Sequence, residues 1–257
     1  MNIAGTFLKR AVAAWLTWAA LCVSVRAGVD DFTLTKSIPA DAIVAVHSRT
    51  HPGGAFVEKQ YERVWKAVAA QGFDRDLKRL IREGIKEEGG DLEQFDAQWT
   101  KFSELWNQID LSTMCGSETA FAMSMSNKLP EFILLAKPDA AALDKNYPVF
   151  ANMFKALGEA SSGEFQASED TDGDLKLTRL SAPNSPMPLA FVVGRTKDTL
   201  VFGMGAGWLE QCIALTRGQS GPTLAATPRF QAAFKRLMPG KDEIAFVDMG
   251  RLMDSVR

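Results

Sequence analysis

The chain has 257 residues, 46% of them hydrophobic, with only two histidines, three cysteines and a net charge of −2 at pH 7. That mild acidity excludes nucleic acid or an anionic membrane surface as the main partner, since either requires a concentrated basic face. A chain of this length buries roughly 70–75% of its unfolded surface, so its core can stand without covalent staples.

The first residues have the order of properties an export signal needs. Lys9 and Arg10 precede an apolar run from Ala11 to Val25, and Val25-Arg26-Ala27 places small or branched residues where a signal peptidase reads. The pattern predicts a signal peptide over residues 1–27, cleaved between Ala27 and Gly28, and hence a periplasmic or secreted protein. The apolar run is about fifteen residues, short of the roughly eighteen that mark a membrane span. An uncleaved N-terminal anchor is the alternative. Lipid attachment at Cys22 is disfavoured by Leu21, which stands where a small residue is wanted. No later segment reads as a membrane span. Cleavage removes Lys9, Arg10 and Arg26 and no acid, taking the net charge from −2 to −5.

Two cysteines then remain, Cys115 and Cys212. In an oxidising compartment they form a candidate disulfide closing a loop of about a hundred residues, for which chain entropy gives about 4–5 kcal/mol. Cys212 also shares the apolar face of a helix with Trp208, Leu209 and Ile213, which fits a buried free thiol. Both readings stand at the level of sequence.

Along the mature chain, Ile38-Pro39-Ala40-Asp41 leads into a buried strand over Ala42 to Val46, and His47 to Gly54 reads as a loop. Val57, Tyr61, Val64, Trp65 and Val68 recur at helical spacing, ending at Gly72. A second helix carries Leu77, Leu80, Ile81 and Ile85 on one face. Its dense basic stretch, Arg75 to Lys86, is interleaved with acids and reads as a solvated face. A third helix begins near Asp91 and turns Leu92, Phe95, Trp99, Phe102, Trp106 and Ile109 inward. Thr119 to Met125 and Phe132 to Ala136 read as strands about a turn at Asn127 to Pro130. Asp139 caps a short helix through Leu143, and Pro148 opens a further one. Glu164 to Glu169 and Leu175 to Leu180 flank Asp172-Gly173, the strongest hairpin signal present. Leu189 to Val193 and Thr199 to Met204 make a second hairpin, followed by helices over Trp208 to Thr216 and Pro228 to Leu237.

Hairpins interspersed with amphipathic helices predict an α+β domain over residues 28–237, with helices packed on an antiparallel or mixed sheet. A doubly wound parallel sheet is the weaker alternative, because the hairpins break strand–helix alternation. Residues 238–257 echo the start: Met238-Pro239-Gly240-Lys241-Asp242 followed by an apolar strand repeats Ile38-Pro39-Ala40-Asp41 and its strand. This predicts either a strand that closes the first sheet or the opening of an incomplete second copy.

Chemistry-bearing motifs are sparse. His47 and His51 have the spacing of a helical zinc pair, but Pro52-Gly53-Gly54 breaks the helix and no third ligand lies near in sequence. Asp170, Asp172 and Asp174 alternate as in a calcium loop, yet Leu175 and Ser181 occupy positions that need glycine and a bidentate acid. Gly203-Met204-Gly205-Ala206-Gly207 lies between strand and helix like a phosphate cradle, but Trp208 replaces the third fingerprint glycine and no Lys-Ser/Thr follows. Trp65, Trp99, Trp106 and Trp208 fall at core-facing helical positions. No catalytic, metal or cofactor set is assigned.

Three segments together look like a known group. Ile38-Pro39-Ala40-Asp41, the strand entry Cys115-Gly116-Ser117-Glu118-Thr119-Ala120-Phe121-Ala122, and Leu224 to Phe230 with Leu237-Met238-Pro239 and Ile244 to Asp248 resemble the bacterial exported proteins of domain-of-unknown-function family 3352. The resemblance spans residues 36–250. It implies a chain longer than this one and brings no activity, cofactor or site residue.

The leading functional expectation is a non-enzymatic extracytoplasmic binding or structural module with an unidentified ligand or protein partner. The alternatives are an extracytoplasmic hydrolase whose carboxylates the fold brings within about 5–10 Å, and an apolar-ligand carrier with an interior cavity.

Overall fold

The computed structural model describes residues 32–49, 72–87, 89–126, 129–161, 165–184, 190–235 and 243–255. The export signal with its Ala27–Gly28 junction, the helix expected from Val57 up to Gly72, His51 and Trp65 lie outside the described residues, which resume at Gly72 itself.

Eight strands form one antiparallel sheet: β1 Val44–Arg49, β2 Glu118–Ser126, β3 Leu129–Ala136, β4 Gln166–Asp172, β5 Leu175–Ser181, β6 Ala190–Arg195, β7 Leu200–Gly205 and β8 Glu243–Val247. Their spatial order is β4-β5-β6-β7-β3-β2-β1-β8, so β4 and β8 are the two edges. The fold is α+β, as the hairpins predict.

Side chains alternate between two cores because successive strand residues point to opposite faces. Ala120, Ala122, Ile133, Leu135, Val192 and Val201 face one way. Phe121, Leu134, Ala136, Val193, Leu200 and Phe202 face the other. Helices α5 Gly207–Thr216 and α6 Pro228–Lys235 close the first core with Trp208, Leu209, Cys212, Ile213, Phe230 and Phe234. The short 3-10 helices Leu34–Ser37 and Leu224–Ala226 add Leu34 and Leu224. Helices α2 Leu92–Trp106 and α4 Ala140–Ala160 cover the second core, with Leu143, Tyr147, Phe150 and Met153 from α4 fully engaged. Helix α1 Phe73–Glu87 lies against α2, and a single turn, α3 Leu111–Met114, precedes β2.

Several expectations need correction. Residues 140–160 form one helix, capped by Asp139 Oδ1, which accepts from Ala142 N, and Pro148 lies inside it. An interior proline costs about 3 kcal/mol, whereas burying the Tyr147, Phe150 and Met153 side chains contributes about 1.5–3 kcal/mol each, so packing outweighs the missing hydrogen bond. Leu129 and Pro130 belong to β3 rather than to the turn. The hairpin over β4 and β5 pairs Asp172 with Leu175, so its central residues are Gly173 and Asp174, with Gly173 at φ 60°. Leu80 does not reach a core and is exposed. Strand β1 runs on through His47 to Arg49, where a loop was expected. The C-terminal echo forms β8, paired antiparallel with β1, and helix α7 Met249–Ser255 follows it.

Candidate functional site

The inward pattern of the strands places carboxylates where water is excluded, so what each one holds decides whether it is free for chemistry. Among the described residues three acids are nearly fully buried: Glu118, Glu131 and Asp248. A buried carboxylate requires several donors to offset its lost hydration. Glu131, on β3, accepts from Ala206 N at 2.7 Å and Leu209 N at 3.0 Å, the start of α5. Glu118, on β2, accepts from Leu34 N at 2.7 Å and Thr33 Oγ1 at 2.6 Å. Asp248 accepts from Arg251 N in the first turn of α7 and forms an ion pair with Arg229 of α6 at 2.7 Å. Each carboxylate therefore clamps the start of a helix to the sheet, where free N–H groups and the helix dipole favour negative charge.

Glu131 explains the glycine-rich segment at residues 203–207. The position a phosphate would take at the α5 N-terminus is filled by the chain's own carboxylate. Gly203 is a close-approach glycine: a Cβ there would collide with Leu209, so α5 packs directly on β7. The nearby Asp41 accepts from Trp208 Nε1 at 2.9 Å, and its backbone carbonyl accepts from Ser124 Oγ.

Cys115 and Cys212 are both thiols in the structure, with no disulfide between them, which is the second of the two readings left open by the sequence. Cys212 is fully buried in the first core, where it packs as a small apolar side chain. Burial, then the charges of Asp41 and Glu131, pushes its thiol well above the ordinary range, which keeps it protonated.

His47 is fully buried on β1, edge-on to Phe32 with ring centroids 5.9 Å apart, and 6.5 Å from the Phe230 ring. Neither ring nitrogen has a hydrogen-bond partner. Desolvation lowers its pKa to about 3, so the imidazole is neutral across the physiological range. Of the acids at the β4–β5 hairpin, Asp170 and Asp172 pair with Arg217, and Glu169 pairs with Lys155 of α4. Among the described residues no group of three or more His, Cys, Asp or Glu side chains is placed to hold a metal ion. The α2 aromatics form a ladder: Phe95, Trp99, Phe102 and Trp106 follow one another with centroids 5.8–6.2 Å apart, all half-buried.

Among the described residues, one surface open to a partner is the β4 edge. All seven residues of β4 are exposed. Beside it runs an open groove of about 560 Å³ between α4 and the strand, lined by Lys155, Gly158, Glu159, Phe165, Gln166, Ala167 and Glu169. The groove has no local signal in the sequence, because it arises from the meeting of a helix end with a strand. The clamps left a readable trace: Glu118 and Glu131 are lone charges at inward positions of otherwise apolar strands. Comparison with protein families, curated proteins and solved structures finds no match for the chain.

Proposed function

We propose that this protein is a non-enzymatic extracytoplasmic binding module that receives an extended polypeptide along the β4 edge. The observation that carries the reading is the fully exposed edge strand flanked by a surface groove. An open strand edge offers unpaired N–H and C=O groups to an incoming strand, and an adjoining groove selects its side chains. The buried acids support the same reading, since each is spent on a helix start. No helix of the described residues is long and apolar enough to cross a membrane. The extracytoplasmic placement rests on the signal pattern ending at Ala27, and the resemblance of three segments to domain-of-unknown-function family 3352 would imply the same.

A phage-displayed library of random octapeptides, selected against the protein, tests the reading. Enriched peptides should slow amide exchange in β4, and Ala167→Tyr, which fills the groove from an exposed position, should abolish their binding without lowering the melting temperature. Enriched peptides that leave β4 exchange unchanged, or bind the Ala167→Tyr variant equally, would overturn it. So would a selection that enriches nothing.

A further inference from the structure

The β1–β8 pair has an internal symmetry. In sequence, Ile43-Val44-Ala45-Val46 corresponds to Ile244-Ala245-Phe246-Val247, each following a Pro-x-Asp or Pro-x-x-Asp turn. In the sheet, Ala45 lies opposite Phe246, its own counterpart, while Val44 lies opposite Val247 and Val46 opposite Ala245. The register thus maps each strand onto the other about a twofold axis passing between Ala45 and Phe246. Faces are preserved as such an axis requires: Ala45 belongs to the first core and Phe246 packs against the same core.

The surroundings of the two strands do not match. Among the described residues β1 has β8 on one side and β2 on the other, whereas β8 has β1 alone. Val46 packs against the second core, but its counterpart Val247 is 45% exposed. Met249 and Met253, one helical turn apart on α7, are 60% and 50% exposed beside it. An edge strand whose one charge, Glu243, lies at the opposite end from these uncovered apolar side chains is an incomplete contact.

We propose that β8 is the first strand of a second copy of this α+β module, carried further along the same polypeptide. Its free edge takes the strand equivalent to Glu118–Ser126, and the second copy's helices cover Val247, Met249 and Met253. The strand is then both the closing strand of one sheet and the opening strand of the next, and the two lobes share one continuous sheet. A separate molecule of this chain fits less well, because its own β2 is already paired on both sides.

The test is the intact mass and C-terminal sequence of the polypeptide purified from its natural source, followed by Val247→Lys in that polypeptide and in the 257-residue chain. The expected result is a mass well above 28.1 kDa, a downstream apolar strand with an inward acid like Glu118, and a Val247→Lys melting shift of about 5 °C in the longer protein only. A native polypeptide ending at or near Arg257 would overturn the proposal. So would a longer one whose stability is indifferent to Val247→Lys.

Discussion

The two edges of the sheet are built differently. At β4 every residue is exposed, and its acids answer bases on the neighbouring helix and loop: Glu169 to Lys155, and Asp170 and Asp172 to Arg217. At β8 Ala245 and Val247 are exposed and, just beyond, so are Met249 and Met253. Charge on an edge strand discourages stray pairing while leaving the edge open to a partner that brings its own complement. Apolar side chains on an edge call for permanent cover. The contrast shows that strand position alone does not define a binding surface; the side chains along the edge decide whether it is a boundary or half of an interface.

The same contrast extends to what holds each edge in place, and it predicts an order of sensitivities. On the β8 side the anchors are buried, so breaking them leaves orphaned groups. Glu118→Ala unpairs Leu34 N and Thr33 Oγ1 and should cost about 3–4 kcal/mol in urea unfolding. The isosteric Glu118→Gln should cost less than half of that.

His47 comes next. Its folded pKa of about 3 lies below the unfolded value of 6.5, so the unfolded chain takes the proton first. Stability is unaffected by this residue above pH 6.5 and declines as pH falls towards 3. Between pH 6.5 and 4.5 the loss should be about 2 kcal/mol, read as a falling urea midpoint that His47→Leu flattens. A midpoint slope unchanged by the substitution would show that the ring gains a proton partner.

Asp248→Asn should cost about 1–2 kcal/mol, because Arg229 is more than half exposed and can return to water. Arg217→Ala, on the β4 side, should cost under about 1 kcal/mol, since its acidic partners are solvated. Equal sensitivities at the two edges would break the comparison.

Much of this was legible in the sequence where the signal is local. The hairpins about Gly173 and Arg195–Asp198, the helix start near Asp91, the cap at Asp139 and the apolar face of α5 all follow from turn chemistry and periodicity. The misreadings came where distant packing overrides a local rule. Pro148 reads as a helix start until the second core accounts for the helix around it. His47 reads as a loop residue because a polar side chain seldom sits in an aromatic nest, and only Phe32 and Phe230, remote in sequence, make that nest. Glu118 and Glu131 carry no motif, since their partners lie 84 and 75 or more residues away. The Gly116 entry of the resembling segment is explained by geometry: its φ is 57°, and a Cβ would overlap the Lys137 carbonyl.

The most direct measurement is amide hydrogen exchange, strand by strand, on the polypeptide as it occurs in its natural source. The account predicts slow exchange along β8 on both of its edges, with β4 remaining fast until a peptide is added. Fast exchange on the outer side of β8, equal to that of β4, would contradict it.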